Sequence, residues 1–391
     1  MSGTPMHILH IITGLGQGGA ESVLYRLTTA PAQACRHTVI SLTDSGIYGE
    51  RLRVAGVEVH TLGMARGRFS LRGFMKLTRL IRSAEADVVQ TWMYHADLIG
   101  GLAARYVGQR AVCWGIRNSG AYLEKSSASA RLMLRLSARL SSRVPAAIVC
   151  CAQDAAARHQ AAGYDAAKMQ VIPNGYDLAR FAPDGLARAR VRREWNIDDS
   201  QLLIGCVARW DPLKDHDNLI HALAALDAED TQDNIRCVLV GRGMTADNAQ
   251  LMAIVDRLGL QGKVIPVGPR DDIPAVMNAL DIHVLSSRAE GFPNVVAEAM
   301  ACGTPCVVTQ VGDAGVIVGD AGWIAPPERA TALQGAMASA VDAVRRYGRD
   351  TVGEHGRQRV HQTFGLTQMV QAYTTLWRQV AGLEDGARTR A

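Results

Sequence analysis

Short apolar runs alternate with amphipathic helical patterns along most of this 391-residue chain. The runs begin with HILHIIT and HTVISLT, and the alternation restarts with LLIGCVAR and IRCVLVG after residue 200. Buried parallel strands have continuous apolar sequences, and helices connect them in doubly wound sheets. The pattern therefore predicts an α/β fold with two Rossmann-like doubly wound domains facing across a cleft. Because such sheets bind ligands at the carboxyl ends of their strands, we expect the chemistry in that cleft.

The segment VIPNGYDLARFAPDG, residues 171–185, is rich in Pro, Asn, Gly and Asp, which is typical of a linker. We therefore predict an N-terminal Rossmann-like domain at 1–180 and a C-terminal Rossmann-like domain at 181–365. Residues 366–391 are predicted to form a final helix and a frayed tail.

Composition limits the class of protein. A hydrophobic content of 48% favours compact folding and excludes a disordered chain. The eight cysteines lie mostly in apolar runs without a CxxC pair, which favours buried reduced thiols, and hence a cytoplasmic protein, over disulfides or zinc. No leader is expected before the first strand, and no apolar stretch approaches the ~20 residues that cross a bilayer.

Positive charge is concentrated in the first part of the chain. Residues 1–180 contain 21 Lys and Arg against 11 Asp and Glu, whereas the remainder contains 21 against 26. In segments 64–83 and 131–143 the arginines alternate with Leu, Phe and Met. Such segments are typical of surfaces that bind anionic lipid, although ordinary solvated helices share the pattern. Nucleic acid is not an expected partner, because no recognition motif accompanies the charge.

Gly14, Gly16 and Gly19 form a GxGxxG pattern directly after the first strand. A dinucleotide site would also need an acidic residue after the second strand, where Asp44 stands. Against such a site, Glu21 puts a carboxylate at the helix start, where a pyrophosphate needs amides. Three interpretations remain: a nicotinamide or flavin site, a tight turn alone, or a bare backbone that approaches a substrate.

The second domain contains a more specific pattern in residues 286–309, SSRAEGFPNVVAEAMACGTPCVVT. A strand precedes Glu290, and a helix is predicted from Pro293 to a C-cap at Gly303. The amides at the helix start can bind a diphosphate, and Glu298 can accept hydrogen bonds from ribose hydroxyls. Either glutamate alone would be an ordinary surface residue, but the whole arrangement is more informative.

A further pattern is GCVARWDPLKDHDNLIHAL, in which a strand ends at Arg209 and a helix begins near Asp215. Arg209 and Lys214 flank the turn and offer a planar fork and a point charge. Both cations suit a diphosphate and could replace a metal ion. No metal site is predicted, since no cluster of Asp, Glu, His or Cys has suitable spacing.

Three segments, GLGQGGAES, ARWDPLKDHDNLI and EGFPNVVAEAMACGTPCVVT, together resemble the retaining glycosyltransferases of family 4, the group 1 glycosyltransferases with a GT-B fold. The resemblance covers essentially the whole chain and is strongest from Gly205 to Thr309. It implies transfer of a hexosyl or N-acetylhexosaminyl group from a nucleotide diphosphate sugar. It also implies retained anomeric configuration and no bound metal or other cofactor.

The resemblance also assigns roles to single residues. Arg209 and Lys214 would bind the diphosphate, Glu298 the ribose and Glu290 the donor sugar, while Gly16 would approach the phosphates from the first domain. The remaining candidates for substrate binding are His95, Asn118, Gly241, Arg270, Phe292, Pro293, Asn294 and Val295.

Among these candidates the assignments differ in kind. The backbone from Phe292 to Asn294 would contact the sugar, and the base would lie near Gly241 and Arg242 and be read near Arg270. His95, Arg117 and Asn118 are candidates for sugar or acceptor contacts. Many relatives have histidine at the position of Asn118, so the partner of the sugar stays open, and His95 could be a plain core or surface residue.

The mechanism expected from these residues stabilises a leaving diphosphate more than it activates a nucleophile. Same-face transfer fits a site without the paired carboxylates of a hydrolase, with Glu290 as the rival nucleophile. We expect a UDP-sugar donor, a lipid-linked or cell-envelope glycan acceptor, and a protein peripheral to the inner face of the membrane. The alternatives are a nucleotide-sugar epimerase, a nicotinamide-dependent oxidoreductase and a non-catalytic membrane scaffold.

Overall fold

A computed structural model describes residues 5–31, 35–65, 70–118, 120 and 128–383. These residues form two compact units. The first consists of the chain up to Gly175 together with the chain from Leu366 onward, and the second is Tyr176–Gly365. The division falls inside the segment that the sequence predicts as a linker, and the predicted terminal helix joins the first unit.

The first unit is built on a parallel sheet. Its strands are β1 (Met6–Ile12), β2 (Cys35–Ser41), β3 (Glu58–Thr61), β4 (Val88–Trp92), β5 (Val112–Ile116), β6 (Ala147–Cys150) and β7 (Met169–Val171). Over the described ranges the seven strands lie in the order β3-β2-β1-β4-β5-β6-β7. The central strands β1, β4 and β5 are buried along their whole length, whereas β3 and β7 at the two edges are partly exposed.

Helices follow most of these strands. They are α1 (Gly19–Thr29), α2 (Gly46–Val54), α3 (Leu71–Ala84), α4 (Tyr94–Tyr106), α5 (Ala128–Ser141) and α6 (Gln153–Ala161), with a 3-10 turn at Ala166–Lys168. Capping fixes the ends of α3: the Ser70 side chain accepts a hydrogen bond from the Gly73 amide, and Glu85 ends the helix in the left-handed conformation.

The second unit repeats the architecture. Its strands are β8 (Leu202–Val207), β9 (Ile235–Val240), β10 (Val264–Gly268), β11 (Ile282–Leu285), β12 (Cys306–Thr309) and β13 (Trp323–Ala325). Its helices are α7 (Gly185–Glu194), α8 (His216–Glu229), α9 (Ala249–Arg257), α10 (Ile273–Ala279), α11 (Asn294–Ala301), α12 (Ala314–Val318), α13 (Ala330–Tyr347) and α14 (Arg349–Thr363), with a 3-10 turn at Pro212–Lys214. The described strands are parallel in the order β10-β9-β8-β11-β12-β13.

The last helix, α15 (Leu366–Val380), packs on the core of the first unit. Trp377 is buried there and donates an indole hydrogen bond to Gln90 Oε1 at 3.1 Å. The buried ring of Tyr373 stacks on Trp92 with centroids 6.1 Å apart. The burial of these two aromatic side chains, together with the indole hydrogen bond of Trp377, fixes α15 to the first unit.

In both sheets the strand order reverses at the strand that comes first in sequence, so that later strands are added on both sides of it. β1 lies between β2 and β4, and β8 lies between β9 and β11. The loops that follow β1 and β8 therefore stand at the switch point of their own sheet, where open α/β sheets bind ligands. The glycine loop follows β1, and the segment of Arg209 and Lys214 follows β8.

The thiols agree with the sequence prediction. All eight cysteines are free, and seven are buried, with Cys35 partly exposed. Burial raises the pKa of Cys206 and of Cys113 to about 12, so both remain protonated thiols at neutral pH.

Candidate active site

The turn after β8 holds Arg209 and Lys214 in a defined conformation. The Asp211 side chain accepts a hydrogen bond from the Leu213 amide at 2.9 Å and so starts the 3-10 turn. The same carboxylate pairs with the Arg209 guanidinium at 2.9 Å, but the Arg209 side chain remains 60% exposed. An exposed pair of this kind contributes little free energy. The guanidinium can therefore exchange Asp211 for a phosphate at small cost.

His216 supports this turn from below. Its ring stacks on Trp210 with centroids 5.5 Å apart, and Nε2 donates to the Arg209 carbonyl at 3.0 Å. Burial lowers the pKa of His216, and the neighbouring Lys214 lowers it further. The imidazole is therefore neutral at pH 7 and acts as a hydrogen-bond donor that fixes the backbone at Arg209.

Lys214 meets Glu290, which lies 76 residues later in the sequence. Lys214 Nζ donates to Glu290 Oε1 at 2.6 Å, and the Ser287 hydroxyl donates to the same oxygen at 2.6 Å. The two side chains are only 20% and 12% exposed. Both bonds fall on Oε1, and Oε2 has no hydrogen-bond partner among the described residues. The structure thus pairs a cation and a carboxylate that the sequence predicts separately. Glu290 Oε2 is left available for a further hydrogen bond.

Three further bonds hold the two loops together. The Ser286 hydroxyl donates to the Lys214 carbonyl at 2.9 Å, and the Arg288 amide donates to the Leu213 carbonyl at 2.8 Å. The Arg288 side chain pairs with the buried carboxylate of Asp215 at 2.7 Å. Sequence reasoning missed Ser286, Ser287 and Arg288, although a polar SSR sequence at the carboxyl end of a buried strand is a usable signal.

The loop after β12 supports Glu290 from behind. Gly312 adopts a φ of +50°, and a Cβ at this position would collide with the carbonyl oxygens of Glu290 and Gly291. The Thr309 hydroxyl donates to the Ser287 carbonyl at 2.7 Å, and the Asp313 amide donates to the Gly291 carbonyl at 3.0 Å. The backbone of the Glu290 turn is therefore fixed on two sides.

The predicted helix after this turn is present as α11, with Pro293 as N-cap and Gly303 beyond its end at a φ of +71°. Phe292 is buried and meets Phe364 edge to face with centroids 5.6 Å apart. Asn294 Oδ1 accepts a hydrogen bond from the Tyr176 hydroxyl at 2.7 Å. Phe292 thus anchors the turn, and the positive end of the helix dipole faces the same sheet edge as Lys214.

Val295 and Glu298 lie in the first two turns of α11, and both side chains are partly exposed. In a helix, positions three residues apart share a face. Glu298 is therefore on the same face as Val295, close to the helix start.

The loop after β9 reaches the backbone of Arg209. A Cβ at Gly241 would collide with the Ala208 carbonyl oxygen, and the φ of Gly241 is +146°. The Trp210 amide donates to the Arg242 carbonyl at 2.8 Å. The structure therefore places Gly241 next to the Arg209 turn.

Arg270 has a different environment. Its guanidinium bonds both Asp272, at 2.8 Å, and Glu194 of α7, and it lies over the Trp195 ring with Cζ 5.8 Å from the centroid. These contacts tie α7 to the end of β10. The side chain of Arg270 is thus engaged within the fold, and its predicted role near the base rests on its backbone alone.

In the first unit the glycine loop separates into constrained and open positions. A Cβ at Gly14 would lie 2.8 Å from Thr43 Oγ1, and one at Gly18 would lie 2.5 Å from Glu21 Oε2. A Cβ at Gly16 would meet no described atom within 4 Å. Packing within this unit accounts for Gly14 and Gly18 but leaves Gly16 with an unobstructed backbone, as expected if a ligand approaches it. The Glu21 carboxylate does lie at the start of α1.

The other first-unit candidates lie after β4 and β5. His95 is partly exposed in the first turn of α4, and Asn118 is exposed. The Asn118 side chain hydrogen-bonds Tyr94, whose hydroxyl also lies 2.5 Å from His159 Nε2. Arg117, between β5 and Asn118, stacks on Trp92. These residues are thus gathered at the carboxyl edge of the first sheet.

Among the described residues, no helix has the length and hydropathy of a membrane-spanning segment. No group of three or more His, Cys, Asp or Glu side chains in the same ranges could hold a metal ion.

Comparison with known families gives two matches that together span most of the chain. Residues 187–357 match the model described as glycosyl transferases group 1. Residues 17–180 match the model described as Glycosyltransferase Family 4.

Two curated relatives illustrate the range of similarity. A D-inositol 3-phosphate glycosyltransferase of Segniliparus rotundus is 33% identical over 204 residues, which are 49% of this chain and 44% of that protein. The match thus spans less than half the length of that relative. The putative glycosyltransferase EpsF of Bacillus subtilis is 26% identical over 332 residues, 81% of this chain and 83% of EpsF.

Solved structures agree in fold. Anabaena HepE in complex with UDP superposes with a TM-score of 0.83 at 22% identity, covering 96% of this chain and 100% of HepE. The HepE complex with UDP-glucose gives a TM-score of 0.81 with the same identity and coverage. With two doubly wound parallel sheets, matching family models over both units and these structural neighbours, the chain belongs to the group 1, family 4 glycosyltransferases and has the GT-B fold.

Proposed function

We propose that this chain is a retaining glycosyltransferase that moves a sugar from a UDP-sugar to a hydroxyl group of a lipid-linked or cell-envelope glycan. The observation on which this proposal rests is the Lys214–Glu290 pair at the switch point of the second sheet. In this pair the ammonium group of Lys214, which can bind phosphate, lies beside the carboxylate of Glu290, which can accept hydrogen bonds from sugar hydroxyls. The UDP and UDP-glucose complexes of HepE support the choice of nucleotide.

The proposed leaving group is UDP, whose negative charge grows as the glycosidic bond breaks. An ammonium group has three N–H donors, and Glu290 uses one of those on Lys214. The other two can meet phosphate oxygens, together with the exposed fork of Arg209 and the N-terminus of α11. Such fixed donors stabilise developing charge without reorganisation, and we propose that they replace the charge of a metal ion.

Glu290 is proposed to bind the donor sugar rather than to attack it. Lys214 and Ser287 hold Oε1 and thereby orient Oε2, which can accept a sugar hydroxyl. A carboxylate whose charge is shared with an ammonium group is a weaker nucleophile than an unpaired one. We therefore propose same-face transfer, in which a departing phosphate oxygen takes the proton of the acceptor hydroxyl as the new glycosidic bond forms.

Two variants test the division of labour between the glutamates. Glu298→Ala should weaken binding of both UDP and UDP-glucose by about 10-fold or more, because a carboxylate loses its hydrogen bonds to the ribose. Glu290→Gln keeps a carbonyl oxygen for Lys214 and should leave UDP affinity within about threefold of wild type while transfer falls about 10- to 100-fold. Calorimetric titration and a transfer assay measure the two effects.

Asp342→Ala, an exposed carboxylate on α13, is the matched control and should change neither quantity. Equal loss of UDP affinity in Glu298→Ala and Glu290→Gln would reject the division. Normal donor binding with no detectable transfer in Glu290→Gln would identify Glu290 as the nucleophile instead.

We further propose that an anionic membrane surface is a partner of the first unit. Helix α3 exposes Leu71 and Met75, which are 66% and 46% exposed, among basic side chains. Helix α5 exposes Leu132 and Leu136 in the same way, and α4 packs against both helices. The exposed basic residues of α3 and α5 are Arg72, Lys76, Arg79, Arg82, Arg131, Arg135 and Arg139. Arg66, Arg68 and Phe69, which the sequence also indicates, lie outside the described residues.

Vesicle binding tests this surface. Each basic side chain near an anionic bilayer contributes about 1 kcal/mol, so the protein should sediment with phosphatidylserine vesicles at low salt and be released at high salt. Replacing Arg72, Lys76, Arg79 and Arg82 by Gln should abolish sedimentation and leave UDP affinity unchanged. The control replaces four exposed arginines of the second unit, Arg193, Arg257, Arg329 and Arg346, and should still sediment. Failure of the unaltered protein to bind at low salt would make a soluble acceptor the better proposal.

A further inference from the structure

Arg117 is a cation held rigidly at the carboxyl edge of the first sheet. It follows β5 directly, and its Cζ lies 5.2 Å from the ring centroid of Trp92. One Nη donates to Asn174 Oδ1 and the other lies 3.4 Å from the Tyr373 hydroxyl. All three of these partners are buried, whereas Arg117 itself is partly exposed. Trp92 therefore holds one face of the guanidinium, and Asn174 and Tyr373 hold one edge. The rest of the Arg117 side chain is partly exposed to solvent.

The charge of this guanidinium has no counter-ion in the described part of the chain. Its hydrogen-bond partners are a neutral amide and a neutral phenol, and no described carboxylate forms an ion pair with it. The Nε atom is buried and also has no hydrogen-bond partner there. A cation that loses water without gaining an anion is costly to fold around. Arginines in this chain that serve packing, such as Arg192 and Arg270, bond carboxylates instead.

A second feature marks the same edge. Met93, which follows Trp92, has a φ of +72°, a conformation that is strained for a residue with a side chain. Its amide donates to the Gly115 carbonyl at 2.9 Å, which ties the strained residue to β5. The next residue, Tyr94, is hydrogen-bonded to Asn118 and to His159. The strained Met93 and the hydrogen-bonded Tyr94 thus lie near Arg117, and preorganised binding sites combine such features.

We infer that Arg117, with Asn118 beside it, is a receptor for a phosphate group of the acceptor substrate. A guanidinium is weakly hydrated and presents paired N–H donors that match phosphate oxygens. An arriving phosphate supplies the missing counter-ion, and the clamp by Trp92, Asn174 and Tyr373 means that little side-chain entropy is lost on binding. The inference rests on the proposed function, in which Arg209 and Lys214 take the donor phosphates. It specifies an acceptor that bears a phosphate or diphosphate.

Calorimetry with inorganic pyrophosphate tests this site in the full chain. Saturating UDP fills the proposed donor site first, so that pyrophosphate can report a separate one. The wild-type protein should bind one equivalent of pyrophosphate, and Arg117→Gln should weaken that affinity at least 10-fold while UDP affinity stays within twofold. Arg110→Gln removes an exposed charge just before the opposite end of β5 and should behave as wild type.

Other outcomes overturn the inference. Equal pyrophosphate affinity in wild type and Arg117→Gln, with a lower Tm for the variant, would make Arg117 purely structural. A 10-fold loss of UDP affinity in Arg117→Gln would assign it to the donor phosphates instead. If the Gln variant does not fold, Arg117→Lys takes its place: it keeps a charge but not the fork and should lose at least threefold, and unchanged affinity would refute the site. Absence of UDP binding in the wild type would refute the proposed function itself.

Discussion

Replacing Lys214 by methionine should lower the rate of sugar transfer by about 10²- to 10³-fold, the usual effect of removing one donor that stabilises transition-state charge. Methionine preserves much of the apolar stem but cannot bond a phosphate. The same change leaves the Glu290 carboxylate, which is 12% exposed, with Ser287 as its remaining partner. We therefore also expect the free energy of unfolding to fall by about 1–3 kcal/mol.

The double variant Lys214→Met/Glu290→Gln separates these two effects. Neutralising the carboxylate removes the unpaired charge, so most of the lost stability should return in denaturant unfolding. Transfer should remain as low as in the single variant, because the phosphate partner is still missing. Recovery of transfer together with stability would mean that Lys214 serves only to neutralise Glu290, and the proposed role of the ammonium group would be wrong.

Replacing His283 by leucine should stabilise the protein, and more so in mild acid. His283 lies in β11 with no exposed surface, and neither ring nitrogen has a hydrogen-bond partner among the described residues. Burial lowers the pKa of His283 to about 4, against 6.5 for the unfolded chain. Because protons bind the unfolded state first, the stability present above pH 6.5 is lost as pH falls toward 4.

Denaturant unfolding at two pH values measures this effect. At pH 7.5 the leucine variant should be more stable by about 1–2 kcal/mol, since two buried polar atoms without partners are removed. Between pH 7.5 and pH 5 the difference in free energy of unfolding between the variant and the wild type should grow by about 2 kcal/mol. This is because pH 5 lies roughly one and a half units below the pKa of histidine in the unfolded chain, and each unit is worth about 1.4 kcal/mol. Asn218→Leu, which also removes a buried polar atom without a partner but no titratable group, is the control and should show no such growth. A pH-independent difference would show that His283 does not titrate with unfolding.

Much of the architecture can be predicted from the sequence because buried strands and helix ends have characteristic residue patterns. Continuous apolar runs mark the parallel strands, and Pro293 and Gly303 predict the limits of α11 to within two residues. The return of α15 to the first unit is not visible, since its apolar face at Tyr373 and Trp377 fits any core equally well.

The candidate site is predictable residue by residue but not as a set of contacts. The Lys214–Glu290 bond depends on β8 and β11 being neighbours in the sheet, although β9 and β10 separate them in sequence. Arg270 illustrates the opposite limit. Its carboxylate partner Glu194 lies on a helix 76 residues away, so a local pattern cannot distinguish a packing arginine from one that binds a ligand.

Titration with UDP and with NAD⁺ in the presence of EDTA tests the central claim most directly. One equivalent of UDP should bind the wild-type chain in EDTA, Glu298→Ala should weaken that binding, and Asp44→Asn, beyond the glycine loop, should not. NAD⁺ should give no binding heat. Binding of NAD⁺ that Asp44→Asn weakens, or binding of UDP only after Mg²⁺ or Mn²⁺ is restored, would contradict a metal-independent nucleotide site formed by Arg209, Lys214 and Glu298.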